Sequence, residues 1–378
     1  MDYKEFFSAD TGSFMRSPVR EIFRKVDLSQ IYSFAGGYPS AETFPLETIE
    51  RLSSEVLRKY GAKALQYGAT QGVPELREAI SKRYGVPVEN IQITTSSQQG
   101  IDVCTRVLVD PGDVVLTTNP TYLGALQSFK SYRANVIGVE LDKLEEVLSS
   151  TQKVKFFYAI PDFQNPSGQT MTLQQREKLV DLARKYDFLI VEDSPYRELR
   201  YEGQPVPTIY SLAPERTLHL GSFSKIMAPG FRLGWIIGAP ELLDQIYVCK
   251  QALDLCPPIM DQYMAAEFMA GGELDKNLAH TIELYRDKRD YLLSLLEKYM
   301  PAGVSWTHPE GGLFLFVTLP ENIDTVALYD HALAAGVAYV AGSFFYVDGS
   351  HKNTMRLNFS FLDKERMEPG IKLLSSLL

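Results

Sequence analysis

An α/β fold is predicted for this chain, with a mainly parallel central sheet in a large domain and a smaller α+β domain after it. Three observations predict it. Short, almost wholly apolar runs alternate with helical periodicity between residues 91 and 238. That alternation stops after Pro257 and Pro258. At 378 residues, the chain also exceeds the size at which a single core usually stops growing.

The strand candidates are IQITT (91–95), VVLTT (114–118), KFFYAI (155–160), FLIVED (188–193), TLHLGS (217–222) and LGWIIG (233–238). Several are apolar nearly throughout, as strands buried on both faces should be. Between them, Ile101, Cys104, Val107 and Leu108 recur at helical spacing, as do Leu179, Leu182 and Ala183. Strand and helix in alternation imply a parallel sheet covered on both sides. Beyond Gly271 and Gly272, an amphipathic run from Glu273 to Met300 predicts one long helix. Shorter strands follow at GGLFLFVTL (311–319) and MRLNFS (355–360), with a helix at 324–335 between them.

Apolar residues make up 45% of the chain and charged residues 22%, as expected of a folded domain, and the formal charge is −9. An acidic surface repels a duplex or an anionic membrane, so neither nucleic acid nor membrane is an expected partner. No run is long and apolar enough to cross a bilayer, and no secretory signal is visible, so a cytoplasmic protein is expected. Cys104, Cys249 and Cys256 are too few and scattered for a disulfide framework. No phosphate-binding GxxxxGK[ST] loop, GxGxxG turn or HExxH helix is present, and the five histidines are scattered, so no metal site is expected.

In an open parallel sheet, ligands gather at the C-terminal ends of the strands, so the residues after each strand are where chemistry is sought. After IQITT come Ser96, Ser97, Gln98, Gln99 and Gly100, which read either as an anion site at a helix N-terminus or as an ordinary cap. After KFFYAI, a turn-rich loop carries Asn165. Asp193 ends FLIVED, where a buried carboxylate needs a partner; a helix cap would serve as well as a ligand. The most informative segment is GSFSKIMAPGFRLG (221–234). Lys225 follows a strand ending in small hydroxyl residues, and Arg232 comes seven positions later. Most lysines are solvated surface charges. A lysine in a tight loop near other cations, however, suits a Schiff base, which needs an amine that can become neutral.

The segment SxSKxxxPGxRxGW resembles the lysine segment of the class I/II aminotransferases of pyridoxal 5'-phosphate (PLP) fold type I. The resemblance extends in order through FAGGYPSAETFP (34–45), LQYGATQGVPELREAI (65–80), SSQQG, NPTY (119–122), NPSG, EDSPY (192–196), PEGGLFLFV (309–317) and RLNFS (356–360). It is closest to the subgroup of kynurenine, α-aminoadipate, aromatic and branched-chain aminotransferases.

The resemblance implies the PLP-dependent transferase fold type I, with an N-terminal arm at 1–37 packing with the small domain, a large PLP-binding domain at 38–271 and a small domain at 272–378. It implies ping-pong transamination between an L-amino acid and a 2-oxo acid, often 2-oxoglutarate. Lys225 would carry PLP as a Schiff base and shuttle the α-proton, and Asp193 would pair with the pyridinium nitrogen. Asn165 and Tyr196 would bond the ring's phenolic oxygen, and Tyr122 would stack on the ring. Ser97, Gln98, Ser222, Ser224 and Arg232 would form the phosphate cup. Tyr67 would reach the phosphate of a neighbouring subunit, which implies a homodimer. Arg356 would clamp the substrate carboxylate, with Gly37 lining the substrate pocket and Arg20 reading a distal carboxylate. Tyr122 and Tyr67 read equally as core aromatics, Arg356 as the outward face of an edge strand, and Arg20 as a surface arginine. Ala341 stands where the family often has proline and Ser194 where a second acid is common; both bear on the subgroup more than on the reaction. A C–S β-lyase on the same fold, or a PLP-binding sensor domain, are the alternative readings.

Overall fold

The computed structural model describes residues 1, 3–8, 11–12, 27 and 30–378. In chain order its strands are β1 (Tyr32–Ser33), β2 (Ile91–Thr94), β3 (Val114–Thr118), β4 (Asn135–Val139), β5 (Val154–Ala159), β6 (Leu189–Asp193) and β7 (Thr217–Ser222). They continue with β8 (Gly234–Ile237), β9 (Ser305–Trp306), β10 (Phe314–Thr318), β11 (Val337–Ala338), β12 (Val340–Ala341) and β13 (Thr354–Asn358).

Seven strands form the central sheet in the order β2-β8-β7-β6-β5-β3-β4. β8 is antiparallel to both its neighbours, and every other pair is parallel. All six expected strands lie in this sheet, to within a residue or so at their ends. Their apolar character follows from cover on both faces. Along β5, Phe156 and Tyr158 enter one core, where Phe129 meets each edge-on at 5.5 Å. Phe157 and Ala159 enter the other core, against Leu179 and Ala183 of the helix Leu173–Tyr186. Each buried ring contributes about 1.5–3 kcal/mol. That helix starts at a capping box, in which Thr172 Oγ1 accepts from Gln175 N and Gln175 Oε1 accepts from Thr172 N. It stops at Asp187, in the left-handed region at φ 55°.

β4 is absent from the expected set. It is the edge strand beyond β3, and its NVIGV sequence is exposed or half-buried except at Val139, so no apolar run marks it.

The second sheet, ordered β12-β13-β10-β9, is antiparallel. The helix Thr325–Ala335 lies beside it, capped by Asp324 Oδ1 at the Val326 and Ala327 amides and ended by Gly336 at φ 103°. The expected long helix spans Glu273–Tyr299, 27 residues and so about 40 Å. Its buried stripe includes Leu274, Leu278, Tyr285, Leu292 and Leu296.

The segment that precedes the helix Leu46–Tyr60 is tied to β11 and β13. β1 pairs in parallel with β11. Phe34 N donates to Ala338 O at 2.8 Å, and Asn358 N donates to Phe34 O at 2.9 Å. Six residues on, Ser40 N donates to Tyr285 Oη at 2.9 Å, and Lys288 Nζ bonds Glu42 at 2.8 Å. Gly37 is held between these two anchor points.

The same segment presses on the C-terminal helix Lys364–Ser375. A methyl group on Gly370 would stand 2.8 Å from Phe34 Cε2 and 2.8 Å from Tyr32 Cβ. Alanine is ordinarily better than glycine inside a helix by about 1 kcal/mol. Here the overlap should outweigh that gain, and Gly370→Ala is expected to lower the melting temperature by a few degrees. A higher melting temperature would show that residues 32–34 do not rest on this helix.

Candidate active site

The C-terminal ends of β5, β6 and β7 face a cavity of about 830 Å³ that is also lined by Phe314 and Arg356, from β10 and β13 of the second sheet. Lys225 enters it from a short turn after β7, where Ser222 Oγ accepts from Ser224 N at 3.2 Å. The turn sits close against β8 because residue 221 has no side chain; a methyl group there would stand 2.1 Å from the Trp235 ring. Lys225 Nζ donates to Gly37 O at 2.8 Å. Part of the side chain is open to the cavity, yet the enclosing protein disfavours its charge. Burial, with Arg356 and Arg232 adding like charge, pushes the amine down to about 8.

Asp193 ends β6 and lines the same cavity. Tyr158 Oη donates to its Oδ2 at 2.6 Å, while Oδ1 is buried with no hydrogen-bond partner. Burial pushes this carboxyl up to about 6, against the opposing effects of the Tyr158 hydrogen bond and of His219. The helix-cap alternative therefore does not hold for Asp193. A cap is instead supplied by Glu192, whose carboxylate accepts from the Ile209 and Tyr210 amides.

Asn165, Tyr196 and Tyr122 stand on the cavity wall. Asn165 Oδ1 accepts from Arg356 Nη1 at 2.8 Å. Tyr196 is buried, and burial, reinforced by nearby Tyr122, holds its hydroxyl above the usual phenol range. Tyr122 Oη donates to Gln98 Oε1 at 3.2 Å, and Gln98 Nε2 donates to Gly124 O at 3.1 Å. Tyr122 is thus part of the cavity wall rather than a simple core aromatic.

Arg356 does not lie on an outward face. β13 runs between β12 and β10, and the guanidinium is buried with its centre 4.2 Å above the Phe314 ring and 5.1 Å from Phe345. Nη2 donates to Ala35 O at 2.5 Å, and Nε has no partner. Burial, only partly offset by Tyr196 and Tyr122, pushes this group down to about 10.

At the opposite end, the helix Ser96–Leu108 points its N-terminus into the cavity with Ser97 and Gln98. Ser96, at φ 66°, receives a hydrogen bond at Oγ from Arg232 Nη2 at 2.6 Å. Arg232 itself turns in the left-handed region at φ 53°. β8 can cross this helix start only through Gly234, where a methyl group would meet Ser97 N at 2.8 Å and Gly221 O at 2.7 Å. The result is a cup of first-turn amides, Ser222, Ser224 and a guanidinium, which suits a phosphate-sized anion.

Twelve of the expected site residues thus meet in one cavity. Tyr67 does not join them; it is 78% exposed. Arg20 lies outside the described residues. The sequence reading missed Tyr158, Phe314 and Phe345, and it named Ser96 only as part of a candidate anion site, without its bond to Arg232. Tyr158 carries a usable signal, since a phenol inside an apolar strand needs a partner for its hydroxyl. Among the described residues, no group of three or more His, Cys, Asp or Glu gathers as a metal set.

The profile described as "Aminotransferase class I and II" matches residues 35–374. Aromatic-amino-acid aminotransferase 1 of Thermococcus litoralis is 44% identical over 99% of this chain and 94% of its own length. The 2-aminoadipate transaminase of Thermus thermophilus is 35% identical over 100% of this chain and 98% of its own. The structure of a Pyrococcus horikoshii kynurenine aminotransferase, in complex with PMP with KYN as substrate and KYA as product, superposes with a TM-score of 0.95 at 44% identity. That superposition covers 100% of this chain and 97% of the other.

The Asp193 geometry predicts a pH signature in the ligand-free protein. Its folded value, about 6, exceeds the usual 3.8, so the folded state binds more protons between those limits. The resulting penalty is absent well below pH 3.8, grows between 3.8 and 6 and then stays constant, at roughly 3 kcal/mol at most. Asp193→Asn, which keeps an acceptor for Tyr158, should melt above the wild type at neutral pH, by a margin that shrinks to a small remainder at pH 4. An equal difference between the two proteins at both pH values would disprove this account.

Proposed function

The chain belongs to the class I and II aminotransferases, and from that membership we propose that it moves the amino group of an aromatic, branched-chain or α-aminoadipate-like L-amino acid to a 2-oxo acid, 2-oxoglutarate among them, with PLP held in the cavity. One observation carries the cofactor reading: the unpaired, buried Oδ1 of Asp193 shares its cavity with an amine whose charge is disfavoured. When bound, PLP supplies an aldehyde carbon for that amine and a ring that accepts the electron pair released at the substrate Cα.

Asp193 Oδ1 would accept from the ring nitrogen, and the positive charge there offsets the burial that otherwise favours its protonated form. Lys225 would hold the cofactor through Nζ and, once freed, would take the substrate Cα proton there; an amine near 8 is about one-tenth neutral at pH 7, far more than an ordinary lysine. Asn165 and Tyr196 would orient the ring through its phenolic oxygen, and Tyr122 would stack on it. The first-turn amides at Ser97 and Gln98, with Ser222, Ser224 and Arg232, hold the phosphate. Arg356 presents its planar fork to the substrate carboxylate beside Gly37. Tyr38, Leu123 and Phe345 line the same cavity and give the substrate side chain a largely apolar surround, in keeping with the aromatic donors named for relatives.

Two copies would complete the site. Tyr67 and Leu65 are exposed, at 78% and 73%, on a segment that a second subunit would cover, with Tyr67 reaching the partner's phosphate. Sedimentation should give a particle of twice the chain mass, and a monomer at micromolar concentration would remove this part of the proposal.

Incubation with an amino acid donor alone should release one equivalent of 2-oxo acid per site and stop. Continuous release would identify a lyase instead. Lys225→Ala should lose at least about a thousandfold in turnover while the fold persists. Transamination by that variant at the wild-type rate would refute the role of Lys225.

A further inference from the structure

Three residues before Asn165, the fully enclosed carboxylate of Asp162 collects three guanidinium groups. Arg176 Nη2 donates to Oδ1 at 2.7 Å, Arg197 Nη1 donates to Oδ2 at 3.1 Å, and Arg200 Nη2 stands 3.9 Å from Oδ1 without a hydrogen bond. Arg176 has no exposure, and its donors are fully used. Nε bonds Met171 O at 3.1 Å, and Nη1 bonds Pro207 O at 2.9 Å and Asp162 Oδ2 at 3.4 Å. Nη2 adds Pro161 O at 3.0 Å to its bond with Oδ1. A guanidinium has five N–H groups, and each finds an acceptor here.

A buried ion cluster is a weak source of stability, because desolvation consumes most of what the attraction returns. What it does supply is direction. Asp162 opens the loop that carries Asn165, and Arg197 immediately follows Tyr196 in sequence. The pair therefore joins the two segments that present Asn165 and Tyr196 to the cavity. Arg200 extends the cluster to the segment before β10, with Nη1 on Glu310 at 2.7 Å and its guanidinium 4.7 Å above the Phe163 ring. Gly311 and Gly312 close on that ring, where a methyl group at Gly311 would stand 2.4 Å from Phe163 Cζ. Two residues later comes Phe314, the ring beneath Arg356. On the far side of the loop, Gln164 Nε2 holds Thr118 Oγ1 at 2.9 Å and Pro120 O at 2.7 Å.

We propose that Asp162 is a positioning residue: through Arg176 and Arg197 it sets the Asn165 loop and the Tyr196 segment at a fixed spacing, so that both donors converge on the same cofactor oxygen. The proposal rests on the cofactor reading above. It assigns Asp162 no contact with substrate or cofactor.

The test uses the holoenzyme and the visible absorption of the lysine-bound cofactor, titrated with pH. Donors on the ring oxygen stabilise its negative charge and make the adjacent nitrogen release its proton more readily. Loosening both donors should therefore move the titration midpoint upward by about half a pH unit or more, the scale of a weakened charged hydrogen bond. Asp162→Asn removes the hub charge. Arg197→Gln cuts only the link to the Tyr196 segment and leaves the Arg176 pair intact, so it decides the matter even if Asp162→Asn fails to fold. An upward shift in Arg197→Gln, with a melting temperature near that of the wild type, supports the proposal. A folded variant that titrates with the wild-type midpoint overturns it, leaving the cluster a merely structural one. A wild-type enzyme with no lysine-bound cofactor band would sink the cofactor reading and this proposal together.

Discussion

Asp193 ends β6 with one carboxylate oxygen bonded to Tyr158 at 2.6 Å and the other without a protein partner, and much of the cavity is arranged around that imbalance. Lys225 lines the same cavity, but its ammonium bonds the Gly37 carbonyl and not this carboxylate. A direct ion pair would have satisfied both groups and stabilised both charges. Keeping them unpaired brings each closer to titrating at neutral pH, the acid up at about 6 and the amine down at about 8. Opposite shifts of this kind, both driven by burial, are what separates a reactive pair from a structural salt bridge.

Holding such groups apart requires a rigid frame with little room. The frame is the doubly covered sheet, whose strand ends place Asn165, Asp193 and Lys225 at successive positions along one edge. The tightness comes from missing side chains. Gly221 lets the Trp235 ring lie against the strand that carries Lys225, and Gly234 lets β8 pass the first turn of the helix Ser96–Leu108. Ser96 and Arg232 both take left-handed backbone there, a conformation with a real cost outside glycine. Their mutual hydrogen bond at 2.6 Å shows why the two sit together.

The parts of this arrangement that were legible in the sequence share a physical reason. Each of Asn165, Asp193 and Lys225 follows an apolar strand of a buried parallel sheet, so strand prediction and site prediction were one problem. β4 was not legible, because an edge strand open on one side carries no continuous apolar run. Tyr158, and the role of Ser96 within its anion segment, were passed over because both act through other side chains, as donor to Asp193 and acceptor for Arg232. Phe314 and Phe345 read as core aromatics, and nothing local to either says that an arginine lies between them. Arg356 had an ambiguous pattern for a related reason. Alternation marks one face of a strand as different, but the order β12-β13-β10 takes β13 away from the edge, and only the burial of all its residues shows that the Arg356 face looks inward.

Arg356 also shows how the two halves of the molecule depend on one group. Its hydrogen-bond acceptors are both neutral: the Asn165 amide oxygen from the sheet edge and the Ala35 carbonyl from the segment beside β11. Two aromatic rings add the attraction of their faces, and Nε remains unpaired. A buried cation with only neutral partners is under-compensated, which is why burial brings it down to about 10. A carboxylate entering the cavity would supply the missing charge and form bonds roughly twice as strong as the neutral ones it displaces. Because those neutral acceptors belong to different segments, an anion bound at Arg356 also bears on how the Asn165 loop and residues 34–37 sit against β13. A carboxylate bound there would compete for the guanidinium with the contacts that tie the Asn165 loop and residue 35 to β13.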